Sequence, residues 1–150
     1  TVIDPLPRSG IATIVKNPDQ SLFNNDGRNQ TATCYATDNA GNRSRTKTVT
    51  VNIDSVKPTI TAPAKITITI PNPQTGRVTQ AQVETELNKK VTARIIQIND
   101  NLNGSGAVFP PEYNIPPNGL LWGRANQVTI TAIDNAGNRS LPEHITVFID

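Results

Sequence analysis

The chain has 150 residues, a formal net charge of +2 and only 17% charged side chains, with six aromatic residues and one cysteine. That balance excludes a basic nucleic-acid surface: no Lys/Arg cluster is interleaved with aromatics. No apolar run reaches 18 residues, so no membrane insertion is expected, and the lone Cys34 closes no internal disulfide.

Thr, Ile and Val are abundant, and twelve prolines and nine glycines argue against long helices. In chain order, the first clear element is a hairpin turn, Asp38-Asn-Ala-Gly-Asn42, between Thr-rich flanks. A boundary phrase, Ile53-Asp-Ser-Val-Lys-Pro58, follows, and Pro58 stiffens the joint. Residues 58–70 alternate in their second half, with Ile66, Ile68 and Ile70 on one side and Thr67 and Thr69 on the other, the period of a half-buried strand. Pro71 to Gly76 breaks it. The helix candidate is 79–90, centred on 79–88, where Thr79 and Gln82 suit a capping box and Val83 and Leu87 stack at i,i+4. A strand is expected over 91–98, a turn at 103–106, a short strand at 107–109 and a Pro-rich loop through Gly119. Further strands are expected at 120–124, 126–134 and 143–149, the last two joined by a tight turn at Asn135-Ala-Gly-Asn138.

The main finding is an internal repeat. Tyr35-Ala-Thr-Asp-Asn-Ala-Gly-Asn-Arg-Ser44 returns as Thr131-Ala-Ile-Asp-Asn-Ala-Gly-Asn-Arg-Ser140, an offset of 96 residues. The same offset aligns Asp4 with Asp100, Ser9-Gly10 with Ser105-Gly106, Gly27-Arg28 with Gly123-Arg124 and Ile53-Asp54 with Ile149-Asp150. Without a gap, 19 of 54 positions are identical. Residues 1–54 thus match the C-terminal part of a repeat, and 55–150 are a complete one. Counterparts of 55–96 are absent from the first unit. A cut from a longer array is the favoured explanation, and strands donated by a neighbouring chain the alternative.

Short antiparallel strands with turns every 8 to 15 residues read as an all-β fold of tandem sandwiches. The Asp-Asn-Ala-Gly-Asn hairpins and the Ile-Asp-Ser-Val-Lys-Pro boundary resemble bacterial immunoglobulin-like and hyalin-repeat extracellular modules. The resemblance covers nearly the whole chain, least well 75–90. It implies an extracellular, cell-surface or secreted location and neighbouring repeats of the same protein as partners. It implies a mechanical role, projecting an adhesive or catalytic tip. The cysteine pair of hyalin repeats is not carried over, since Ile130 stands where Cys34 would recur.

Catalytic chemistry finds little support. His144 and Cys34 are single, and no nucleophile–base set recurs in both copies, so a non-enzymatic chain is expected and no cofactor is required. Calcium is the one cation worth weighing, because it takes six to eight oxygens, several of them carboxylate. Asp38, Asn39 and Asp54 recur as Asp134, Asn135 and Asp150, and Asp4 as Asp100. The string Asn99-Asp100-Asn101 is similar to a phrase of cadherin linkers. The competing expectation is that these Asp residues hold their own turns. Trp122 and Tyr113, with the loop 110–118, are candidates for a surface that binds a glycan or a host protein; the ordinary role of such a Trp is to fill the core edge.

Overall fold

The computed structural model describes residues 3, 9–17, 25–71, 73, 75–101 and 104–150. The chain forms two compact units, Thr1–Asp54 and Ser55–Asp150. Both are built of strands, and the described residues include one short helix.

Unit 1 is a three-stranded antiparallel sheet of β1 (Ile11–Asn17), β2 (Gly27–Asp38) and β3 (Lys47–Ile53), in the order β1-β2-β3. Threonine and valine dominate β3 because a branched Cβ fits the pleat. Of its described residues only Ala36 is buried.

Unit 2 begins with β4 (Thr59–Thr61), β5 (Lys65–Ile68), β6 (Arg77–Val78) and α1 (Gln80–Thr92). Then come β7 (Gln97–Asn99), β8 (Glu112–Asn114), β9 (Leu120–Leu121), β10 (Ala125–Thr131) and β11 (Glu143–Ile149). Its main sheet has the order β5-β11-β10-β8, and two small ladders join β4 to β7 and β6 to β9. The alternating isoleucines behave as their period requires: Ile66 and Ile68 are buried and Lys65 and Thr67 exposed. They meet the buried faces of β10 and β11 in one cluster, which Val83 and Leu87 cover from α1.

The helix starts where its cap predicts. The Thr79 hydroxyl accepts the Gln82 backbone N–H, and the Gln82 side chain accepts the Thr79 N–H, a complete capping box. Val83 and Leu87 are one turn apart and both fully buried, while Lys89 and Lys90 sit favourably in the last turn.

Four expectations need correction. The strand expected over 91–98 is not one: α1 runs on to Thr92, the N–H of its C-cap Ala93 returns to Lys89, and only Gln97–Asn99 pairs as a strand. The strand expected at 107–109 reduces to one bridge, Ala107 to Asp134; the strand proper, β8, lies inside the stretch read as loop. Pro110 and Pro111 supply no N–H for a ladder and displace the pairing beyond them. Residues 120–124 pair only at Leu120–Leu121, before a turn at Gly123. Finally, the sheet is not uniformly antiparallel, since β5 lies parallel to β11.

The hairpins β2–β3 and β10–β11 share one register. Cys34 faces Lys47, Thr33 faces Thr48 and Ala32 faces Val49, as Ile130 faces Glu143, Thr129 faces His144 and Val128 faces Ile145. Every one of these pairs is displaced by 96 residues from its counterpart. Ile11 pairs with Asp38 as Ala107 does with Asp134. Beyond that point the two units diverge by one residue: Lys16 faces Cys34, whereas Tyr113 faces Ile130. Ile14 and Val15 continue β1 where Pro110 and Pro111 interrupt unit 2.

Candidate functional site

The repeated polar residues sit on the turns, and their bonds can be followed one by one. The Asp134 carboxylate accepts the backbone N–H groups of Ala136 at 2.9 Å and Asn138 at 2.8 Å through one oxygen. Its other oxygen accepts the Asn138 side-chain amide at 2.8 Å. Asp38 accepts from Ala40, Asn42 N–H and the Asn42 side chain at 2.9, 2.8 and 2.9 Å. The Asn39 and Asn135 side chains donate to the carbonyls of Ser9 and Ser105 at 2.8 and 3.0 Å. Their backbone N–H groups reach the carbonyls of Gly10 and Gly106 at 3.0 and 2.9 Å. Both of these glycines have positive φ, +85° and +89°, which aims the carbonyl at the turn without the penalty of a Cβ.

Ser44 and Ser140 complete the arrangement: each hydroxyl accepts an N–H at 2.9 Å, from Ala36 and Ala132. These serines recur at the same 96-residue offset, which is the one signal of their role in the sequence. The amide donors of Asn42 hold the Asp38 carboxyl below its ordinary value of 3.8.

Asp100 occupies a third turn. Its carboxylate accepts the N–H of Gly106 at 2.6 Å and of Asn101 at 2.9 Å. Gly104 packs so closely that a Cβ there would lie 2.4 Å from an Asp100 carboxylate oxygen. Asp100 and Asp134 bring carboxylate oxygens within 4.8 Å of each other. Asp134 is 2% exposed and Asp100 half-buried. A cation would find two carboxylates here, but each already accepts backbone N–H groups that need it. Asp54 follows β3 and is half-buried; Asp150 is exposed, and its backbone bonds to Ile68 and Ile70 extend the β5–β11 ladder. Asp4 lies outside the described residues.

Trp122 and Tyr113 both pack against the unit 2 core. The Trp122 backbone N–H donates to Gly76, while its indole N–H is buried with no partner among the described residues. Tyr113 is half-buried on β8, and its hydroxyl donates to Asn88 of α1 at 2.8 Å. Burial, and then the Glu84 carboxylate, push the phenol's pKa well above the ordinary range. Tyr113 lines a shallow cleft of about 360 Å³ with Glu84, Asn88, Glu112 and two prolines. Trp122 is not part of that lining. Glu112 pairs with Arg139, which holds the carboxyl below its ordinary value. This pair, between β8 and the segment that links β10 to β11, has no signal in the sequence, because it depends on the displaced register of β8. His144 is exposed on β11, with Nδ1 3.0 Å from the Thr129 hydroxyl.

Among the described residues no helix is long and apolar enough to cross a membrane. No protein-family model and no curated protein matches the chain.

Proposed function

We propose that the chain consists of immunoglobulin-like repeats serving as non-enzymatic, extracellular structural spacers in a bacterial surface or secreted adhesin-type protein, with neighbouring repeats as their partners. The observation that carries this reading is the parallel pairing of β5 with β11, from Lys65–Thr146 to Ile68–Ile149. These strands stand near the two ends of unit 2. Tension applied at the ends of the unit draws them along each other, so their hydrogen bonds are loaded together rather than one at a time. The repeated turns add support, because their Asp, Asn and Ser groups are engaged by the fold itself. The extracellular location follows from the resemblance of the hairpin and boundary motifs.

The test is to pull unit 2 by its ends in a single-molecule instrument. Cooperative unfolding at high force is expected, with a marked drop in Ile70→Pro, which removes the N–H that donates to the Asp150 carbonyl. Unfolding at low force, unchanged in that variant, would contradict a load-bearing role.

A second reading is favoured by the Tyr113 cleft: a glycan- or protein-binding module. It requires a glycan panel to perturb Tyr113 and Tyr113→Ala to abolish the effect. Calcium is a further option, favoured by the approach of Asp100 to Asp134; as proposed here, the spacer requires no metal.

A further inference from the structure

The polar groups of the turns and of the Tyr113 cleft are engaged within the fold. In that cleft the tyrosine hydroxyl bonds to Asn88, Glu84 accepts from Gln80 and Glu112 pairs with Arg139. A second cleft of unit 2 differs. It is an open space of about 440 Å³, within the range of small-molecule sites. The C-terminal end of α1 and β7 form one side of it, and residues 107–109 the other. Its floor is apolar, with Ile96 fully buried and Val91 half-buried. Its far wall stands open: Phe109 is 56% exposed and Val108 38%. That wall is held in place, since the Val108 N–H donates to the Ile133 carbonyl at 2.7 Å and Pro111 is buried just beyond. The repeat does not call for this aromatic, because at the 96-residue offset Phe109 corresponds to Thr13, inside β1. Arg94, Gln97 and Asn99 also line the cleft, and their side chains have no hydrogen bond or ion pair among the described residues. No carboxylate lines it. Uncommitted polar groups beside an exposed aromatic, over an apolar floor, are the composition of a ligand site.

Arg94 holds its place at a conformational cost. It follows the C-cap Ala93 at φ +57°, the left-handed position that closes a helix and that glycine takes most easily. The N–H groups of Ala93, Arg94, Ile95 and Ile96 return to the carbonyls of Lys89, Val91 and Lys90. These bonds, with Lys90 in the last turn, offset the negative end of the helix dipole, so an anion can approach Arg94. The backbone at this position favours glycine, yet the residue present carries a guanidinium with its donors in a fixed fork.

We propose that this cleft binds an acidic sugar, a pyranose ring bearing a carboxylate, with Arg94 on the carboxylate, Gln97 and Asn99 on the ring hydroxyls and Phe109 against the ring's C–H face. The guanidinium selects the carboxylate, because that pairing is bidentate and charge-assisted. Each side-chain amide both donates and accepts, which suits hydroxyls, since they do the same. The face of Phe109 offers apolar area to the C–H side of the ring. The site is independent of the spacer role, which rests on the β5–β11 pairing, and it shares no lining residue with the Tyr113 cleft.

The experiment titrates the 150-residue chain with methyl glucuronide and, in parallel, with methyl glucoside, which has a hydroxymethyl group in place of the carboxylate. Amide chemical shifts are followed residue by residue. Saturable shifts at Arg94, Gln97, Asn99 and Phe109 are expected with the glucuronide, at a Kd on the order of 1 mM, with the glucoside about tenfold weaker. Arg94→Gly separates binding from folding. Glycine fits the left-handed position, so this variant should melt no lower than the wild type while losing about tenfold in affinity. Arg94→Gln, which leaves the backbone conformation under the same constraint, should lose affinity equally. Phe109→Leu keeps the apolar bulk without the ring face and should bind about threefold more weakly. Equal affinity for the two sugars would overturn the proposal. So would the absence of saturable shifts at these residues, or wild-type binding by a folded Arg94→Gly or Arg94→Gln chain. Shifts centred instead on Glu84, Asn88 and Tyr113, and removed by Tyr113→Ala, would overturn it in favour of the other cleft. The pulling measurement on unit 2 does not depend on either result, so failure of this site and failure of the spacer reading are told apart.

Discussion

The hairpins β2–β3 and β10–β11 share a register and a turn, yet one is half-open and the other forms the wall of a core. Local chemistry therefore sets the hairpin, and the strands and helix laid over it determine burial. The turn can be built twice because its bonds, both those within the Asp-Asn-Ala-Gly-Asn segment and those from Asn39 to Ser9 and Gly10 and from Asn135 to Ser105 and Gly106, join residues that recur at the same offset. In unit 2 the core wall is completed by Ile66 and Ile68 of β5 and by Val83 and Leu87 of α1.

Predictions follow from that contrast, beginning with what only unit 2 can lose. In Gly119→Ala a Cβ would lie 1.9 Å from the Val78 carbonyl oxygen at φ +69°. A loss of about 4 kcal/mol or more is expected in chemical denaturation. Gly123→Ala, at φ +70° with nothing within 4 Å, should lose only about 1 kcal/mol. Equal effects would mean that the close approach at Gly119 is not a constraint.

The paired substitutions Ile130→Ala and Cys34→Ala probe the same register position in the two units. Ile130 is fully buried, and its truncation should cost about 3 kcal/mol. Cys34 is half-buried, and its truncation should fall below about 1 kcal/mol. Comparable losses would show that unit 1 has a covered core of its own.

The turn itself gives a subtler pair. Asp134→Ala leaves two N–H groups and an amide without their acceptor in a part-buried setting, at a cost of about 2 kcal/mol. Asp38→Ala should cost less, because water reaches the groups left behind. The Asp38 carboxyl has a lowered pKa in the folded turn, so its contribution is complete above its unfolded value. It is lost as pH falls through the folded value, which places the change below pH 3.8. Amide chemical shifts of residues 38–42 should report that titration, and Asp38→Asn should remove it. The smallest effect is expected at the helix cap, where Thr79→Ala should cost about 1 kcal/mol.

Much of this was legible in the sequence where the signal is local. The alternation of Ile66 and Ile68, the Thr79–Gln82 box and the Asn-Ala-Gly-Asn turns each depend on a few neighbouring residues. The misread segments depend on partners far along the chain. Residues 91–98 look like a strand by branching, but the helix C-cap claims the first of them. Glu112–Asn114 looks like loop beside its prolines, yet β10 offers it an edge. The pairing of β5 parallel to β11 carries no local signature. At the candidate sites, the recurrence of Asp and Asn identified the turns, but whether the carboxylates serve backbone or cation depends on geometry. Trp122 and Tyr113 were grouped by aromatic character, and only Tyr113 lines the α1–β8 cleft.

The carboxylates of Asp38, Asp100 and Asp134 serve the backbone, and a thermal melt of the whole chain in excess calcium and then in chelator tests this most directly. A site that binds only the folded state raises the midpoint by mass action. Superimposed melts are predicted. A rise of many degrees in calcium, abolished in Asp100→Ala, would contradict the account and make the unit 2 turns a metal site.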